Sequence, residues 1–287
     1  MSGSAQAVLL ADGRHHLQHG PIDIVAAAFG GAAERSLAYR QAAARFATVM
    51  AELVAELGLL RRPLGAVPPP VEGAIARRMA AAVWPCRERY VTPMAAVAGA
   101  VAEEVLAAMT SGRNLARAYV NNGGDIALHL MPGEALRAGV VANADLPALD
   151  GSLVVTHAMP VRGIATSGWR GRSFSLGIAD AVTVLAASAA AADAAATLIA
   201  NAVDCDHPAI RRAPASHLRD DTDLGDLLVT VEVGALPERA IGQALAQGAG
   251  HALALRRAGL IWAASLRLAG RVRTVGGLPE EHLKVAG

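Results

Sequence analysis

Short apolar blocks dominate the two ends of the chain and its middle, and helical spacing fills the rest. AQAVLLA (5–11) and IDIVAAAF (22–29) predict two strands around a polar piece that opens on the turn dipeptide Asp12-Gly13. His15, His16 and His19 fall in that polar piece. Their spacing matches no metal motif, so they read as exposed hairpin histidines; a metal there would need Asp12 or Asp23 as carboxylate partner. Leu37, Ala44, Ala47, Met50, Val54 and Leu57 recur at helical spacing and predict a helix over 33–58, with Gln41 interrupting the stripe and Gly58 near its end. RRPLGAVPPP (61–70) is a loop, because consecutive prolines cannot continue a helix.

Helices follow at 71–83 and 93–110, the second with Pro93 in its first turn. From 115 to 187 the pattern changes to strands and turns: LARAYVNN, DIALHLM, ALRAGVVA, SLVVTHAM, VRGIATS and DAVTVLAA. A helix at 188–203, a loop rich in Pro and Asp, a strand at 227–233, a helix at 236–257 and strands within 259–275 complete the chain. Helices bunched between mostly antiparallel strands predict an α+β fold. At 287 residues the chain fits one compact domain, 1–287, with strands and helices to 110 and the motif-bearing half from 111.

Composition adds exclusions. Hydrophobic residues make up 53% but aromatics only 3%, so the core is aliphatic and alanine-rich. The formal charge is +1, and no basic stripe with interleaved aromatics is present, which argues against nucleic acid as a partner. The Ala-rich stretch 181–202 is broken by Thr183, Ser188, Asp193, Thr197 and Asn201, which argues against a membrane span. Cys86 and Cys205 form no C-x-x-C motif and fit a reducing compartment. MSGSAQAVLLADG has no signal-peptide pattern, so a cytoplasmic location is expected. Low charge and sheet edges are compatible with a homo-oligomer.

Three segments carry candidate chemistry. In YVNNGGDIALHL (119–130), Asn122, Gly123 and Gly124 form a turn whose N–H groups can cradle phosphate, with Asp125 beside them; a plain hairpin turn reads the same way. In GIATSGWRGRSFSLGIADAVTV (163–184), Thr166, Ser167 and Gly168 offer hydroxyls and open backbone. There Arg170 and Arg172 offer cations and Asp180 a carboxylate; a glycine-rich hairpin is the alternative. In SAAAADAAATLIANAV (188–203), Asp193 and Thr197 share one face of an Ala-rich helix and are hard oxygen donors suited to Mg²⁺. A solvent-facing Asp and a back-bonded Thr would also satisfy the pattern.

Taken in this order, the three segments resemble the ApbE-like superfamily, whose best-known members are FAD:protein FMN transferases. The resemblance spans roughly 90–270 and rests on Gly123-Gly124-Asp125, Thr166-Ser167-Gly168, Val182-Thr183-Val184 and the Ala192, Asp193, Thr197 helix. It implies the ApbE-like fold: antiparallel sheets, helices packed on one side and two topologically similar halves. It also implies Mg²⁺ held by Asp193 and Thr197 at the pyrophosphate of FAD, or a bound FMN. The chain departs from the transferases in two places. PMAAVAGAVAEE (93–104) stands where they carry K-G-x-x-x-D, and RGRSFSLGIAD (170–180) where they carry H-x-I-D-P-x-T-G. In both it is similar to an uncharacterised cytosolic branch of the superfamily.

The resemblance therefore points to a small-molecule ligand and to Mg²⁺-dependent binding or transfer of a flavin nucleotide or related phosphate-bearing ligand; for a different enzyme on this scaffold, Asp125 and Asp180 are the remaining acid/base candidates. Two alternatives stand beside it. One is a different small-molecule enzyme on the same scaffold, for example in sulfur or amino-acid metabolism. The other is a non-catalytic binding protein.

Overall fold

The computed structural model describes residues 4–140 and 151–277. In chain order the elements are β1 (Gln6–Leu9), β2 (His15–His19), β3 (Ile22–Gly30), α1 (Ala32–Ala55), α2 (Leu57–Leu60), α3 (Ala74–Val83), α4 (Val97–Thr110), β4 (Leu115–Asn122), β5 (Asp125–Leu130) and β6 (Ala135–Val140). They continue as β7 (Gly151–Thr156), β8 (Gly163–Ser167), β9 (Ala181–Ala186), α5 (Ala189–Ala202), β10 (Ile210–Pro214), α6 (Ala215–Leu218), β11 (Leu228–Val233), α7 (Glu238–Arg257), β12 (Ala263–Leu268) and β13 (Arg271–Val275). The end of the strand expected at ALRAGVVA, residues 141–142, lies outside the described residues. The strands pair antiparallel and the helices lie between them in sequence, so the α+β expectation holds. The chain clusters into two compact units. The first is Met1–Leu136, Val154–Ala165 and Ala186–Asp193; the second is Arg137–Leu153, Thr166–Leu185 and Ala194–Gly287.

In the first unit, β1 to β5 form an antiparallel meander and β8 adds beside β5. Side chains alternate across a strand, so the register fixes which residues share a face. One cross-strand row reads His15, Ala26, Val120, Ala127 and Gly163. The next reads Leu17, Ile24, Asn122 and Asp125. This face is apolar except at His15, Asn122 and Asp125, and α1 and α4 pack against these strands. Helix α4 is apolar except at Glu103 and Glu104; Pro93–Thr110 is long and apolar enough to cross a membrane by composition. Half of that segment is buried within the protein, as a core helix is.

Two expectations are corrected here. Helix α1 buries Ala38, Ala42, Phe46, Val49 and Leu53, whereas the expected stripe leaves Val54 58% exposed. Alanine marks either face equally well, so the larger apolar residues on the outer side set the wrong phase. The three histidines are not loop residues. They occupy β2, where His15 is buried, His19 meets the edge of the Phe46 ring and His16 turns out to bond Asp23 at 2.9 Å.

In the second unit, β9 pairs with β12, β12 with β13, and β10 with β11. Strands β9 and β12 are buried at every position, which suits their near-continuous apolar sequence. Helix α7 packs on β12 and β13 and approaches them closely at Gly248, where an added Cβ would lie 2.8 Å from a Leu266 methyl. The loop expected after α5 holds β10 and α6; IRRAP carries two arginines and a proline and gives no strand signal by itself. Cys86 and Cys205 carry free thiols.

Candidate functional site

The site begins at the β4–β5 turn. Asn122 and Asp125 face each other across a two-residue connection, and Gly123 and Gly124 take φ of +65° and +113°. Side chains other than glycine rarely adopt that region, which is why this turn is Gly-Gly. The Gly124 N–H donates to Asn121 Oδ1 at 2.8 Å, so the turn uses that donor itself. Asn122 is buried and its Nδ2 donates to the Ala98 carbonyl at 3.1 Å, tying the turn to the start of α4.

The same helix start meets α5. Asp193 Oδ2 accepts the Gly99 N–H at 3.0 Å and Asp193 also takes the Ala98 N–H, so Asp193 caps α4. Glu103 of α4 returns the favour: its Oε1 accepts the Ala190 N–H at 2.7 Å in the first turn of α5. Its Oε2 accepts Arg78 Nη1 at 2.7 Å. Arg78 also reaches Glu104, Glu104 accepts Arg45, and Arg45 pairs with Glu52 through both oxygens at 2.7 Å. This half-buried chain of ions fixes the angle at which α4 meets the capping groups. Two glycines allow the close approach. A Cβ on Gly99 would lie 2.3 Å from the Ala189 carbonyl oxygen, and one on Gly163 would lie 2.1 Å from Ser188 carbonyl carbon.

Asp193 is therefore half-buried and near enough to Asp125 to feel its charge. Burial, and then the Asp125 charge, push its pKa well above the usual carboxylate range; the Gly99 and Ala98 N–H groups pull it back. Asp193 thus carries its charge unfavourably, half-buried beside a second carboxylate. Both are hard oxygen donors, and a carboxylate that accepts helix N–H bonds keeps further lone pairs for a cation. The donor set thus fits Mg²⁺ with a short protein shell. No group of three or more His, Cys, Asp and Glu that could hold a metal occurs among the described residues. Thr197 lies one turn further along α5 and is half-buried.

The residues of the second segment have a different surrounding. Thr166 Oγ1 and Thr183 Oγ1 are 2.9 Å apart in a hydrogen bond. Ser167 ends β8 half-buried. Gly168 is a packing glycine: its Cβ would meet the Asp180 carbonyl oxygen at 2.4 Å. Asp180 Oδ1 accepts Trp169 Nε1 at 3.2 Å and Arg170 Nε at 3.0 Å, and Oδ2 accepts the Ala269 N–H at 2.6 Å. The Arg170 guanidinium also lies 4.4 Å from the Trp169 ring centroid. Both Asp180 oxygens are engaged, so its observed task is to fasten this turn to the hairpin at Ala269. Asp180→Ala should lower stability by about 2–4 kcal/mol, since three donors lose their acceptor. Thermal unfolding followed by tryptophan fluorescence checks this; an unchanged midpoint would remove the fastening role.

The structure thus gathers Asn122, the glycine turn, Asp125 and Asp193 in the first unit, and Thr166, Ser167, Gly168, Arg170 and Asp180 in the second. Glu103, Gly99 and Arg78 escaped sequence reading. The one local signal was Glu103-Glu104 in an otherwise apolar helix, a pair of charges that needs partners.

A family model described as AbpE bacteria matches residues 7–274. A UPF0280 protein of Methanopyrus kandleri is 40% identical over 161 residues, covering 55% of this chain and 61% of the relative. A UPF0280 protein of Methanothrix thermoacetophila is 40% identical over 118 residues, covering 41% and 48%. The chain therefore spans roughly half, and at most 61%, of these relatives' length. Among solved structures, the flavin transferase ApbE of Vibrio cholerae aligns over 97% of this chain and 99% of its own, at 11% identity and a TM-score of 0.45. The flavinyl transferase ApbE of Pseudomonas stutzeri, apo form, aligns over 100% and 99%, at 14% and 0.38.

Proposed function

This chain belongs to the AbpE bacteria family, and from that premise we propose that it binds a flavin nucleotide or a related phosphate-bearing ligand together with Mg²⁺, with Asp193 and Asp125 at the centre of the site. The observation that carries the reading is the carboxylate pair. Two acids are placed near each other, and one of them is forced toward its neutral form. A bound divalent cation would favour the ionised form of Asp193 and neutralise a ligand's phosphates. With so few protein ligands, the phosphate oxygens and water must complete the shell, so metal and ligand should bind together.

The chain's own residues then have defined tasks. Asp193 would hold the cation in its ionised form, while its Oδ2 keeps the Gly99 N–H. Asn122, anchored at Ala98, holds the turn that presents Asp125. Asp125 is the group placed to take or give a proton at the ligand. The same proposal gives Thr197 a metal role and gives Thr166, Ser167, Gly168 and Arg170 ligand contacts. Asp180, with both oxygens occupied, is kept as a positioning residue. The transfer step itself and a cytoplasmic, single-domain protein are part of this reading.

Calorimetric titration with FAD, with and without Mg²⁺, tests it. The expected result is binding that requires Mg²⁺ and falls at least about tenfold in Asp193→Asn, which keeps the shape and removes the charge. Thr197→Ala and Arg170→Ala in the same titration test the remaining assignments. Binding that ignores both Mg²⁺ and Asp193 would remove the metal site from the account. The engagement of Asp180 favours one second reading, a binding protein without chemistry, in which FAD binds with Mg²⁺ but no flavin transfer follows.

A further inference from the structure

A concave site apart from the carboxylate pair lies in the first unit, among β1, the β1–β2 turn and the first half of α1. It has a volume of about 380 Å³, within the usual range for small-ligand sites. Leu9, His15 and Tyr39 provide apolar surface, and Arg35, Ser36 and Arg40 provide polar groups. Tyr39 is held rigidly: its hydroxyl donates to the Gly13 carbonyl at 2.9 Å and accepts the Ala28 N–H at 3.2 Å. His15 lies 4.9 Å from the Tyr39 ring, centroid to centroid, and is 7% exposed, with Nδ1 buried and unpartnered. Burial lowers its pKa, which suits the ring to an apolar wall.

The charged groups are unbalanced. Arg40 donates through Nη1 to Ser36 Oγ at 2.9 Å, which leaves the Ser36 hydroxyl hydrogen to be donated elsewhere. Neither Arg35 nor Arg40 has an ion pair with a carboxylate among the described residues, and the cavity lining contains no acid. Both guanidiniums line the apolar hollow, where an anion would find charge-assisted donors.

We propose that this cavity binds a small organic anion, its apolar body against Leu9 and the rings of His15 and Tyr39, and its carboxylate or phosphate head held by Arg35, Arg40 and Ser36. The anion is held by side chains alone, without a metal, so the site is independent of Asp193.

The test is calorimetric titration of the full chain with phenyl phosphate, benzoate, benzyl alcohol and inorganic phosphate. Phenyl phosphate or benzoate should saturate one site, and the tighter of the two identifies the head group. Arg35→Gln with Arg40→Gln should weaken that binding at least about tenfold. Asp193→Asn should leave it unchanged. Both arginines line an open hollow, so the double variant is expected to unfold at the wild-type temperature. The proposal is overturned by equal binding of neutral benzyl alcohol, by a double variant that binds like wild type, or by no saturation up to about 5 mM. Equal binding of inorganic phosphate would remove the apolar body from it.

Discussion

Gly163→Ala should lower the stability of this protein by at least about 3 kcal/mol, enough to shift the unfolding midpoint by about 6–12 °C for a chain of this size. The added Cβ would lie 2.1 Å from the Ser188 carbonyl carbon and 2.2 Å from the Ala189 nitrogen. Those are backbone atoms at the entrance to α5, so no side chain can swing aside. Relief requires β8 or the start of α5 to move, which separates Asp193 from Gly99 and Glu103 from Ala190. Gly242→Ala is the control. Gly242 lies inside α7 with nothing within 4 Å of a new Cβ, and there alanine should add about 0.5–1 kcal/mol. Equal midpoints for the two variants would mean that the α5 entrance is not tightly packed.

The second large effect concerns Asp193 and pH. Its folded pKa is raised above the ordinary carboxylate value, so the folded state holds a proton that the unfolded chain releases. Stability should therefore be full below the ordinary carboxylate pKa, near about 4, and should fall as pH rises toward the raised value. The slope approaches about 1.4 kcal/mol per pH unit inside that window and vanishes above it. Asp193→Asn carries no titrating group there. It should flatten the decline and become more stable than wild type at the alkaline end, while losing some capping strength at the acid end. Unfolding midpoints of both proteins from pH 4 to 8 measure this. Parallel curves would mean that folding does not raise the Asp193 pKa, and the strained carboxylate pair would drop out as the support for a cation site.

What the sequence made legible follows from how local each signal is. Asn122-Gly123-Gly124-Asp125 needs only its own φ angles to declare a turn, and it is the turn observed. Helices α4 and α7 were readable because their apolar content and their Pro and Gly boundaries lie within one segment, and α5 because its alanine run does. Strand β2 was not. HHLQH looks polar until β3 and α1 are known to cover His15 and Leu17. The phase of α1 failed for a related reason, since alanine gives close helix contact without advertising a face. In the candidate site, Asp193 was visible as an odd carboxylate among alanines. Its partner Gly99 was invisible because it lies 94 residues earlier and acts through a backbone N–H, and Glu103 because its acceptor role needs the Ala190 N–H of a helix 87 residues later. Asp180 shows the converse. It looked like a free acid in sequence, and its three donors come from a neighbouring turn and a distant hairpin.

The exchange of caps between α4 and α5 also sets a schedule for synthesis. Gly99 leaves the ribosome 94 residues before Asp193, a delay of about 5–20 s at usual elongation rates. During that interval the first turn of α4 has no carboxylate to receive its N–H groups, and its apolar surface lacks part of its cover. The nascent chain should hold α4 as a frayed, chaperone-accessible segment until α5 emerges. Amides at Ala98 and Gly99 should then gain hydrogen-exchange protection only after residue 193 has been made.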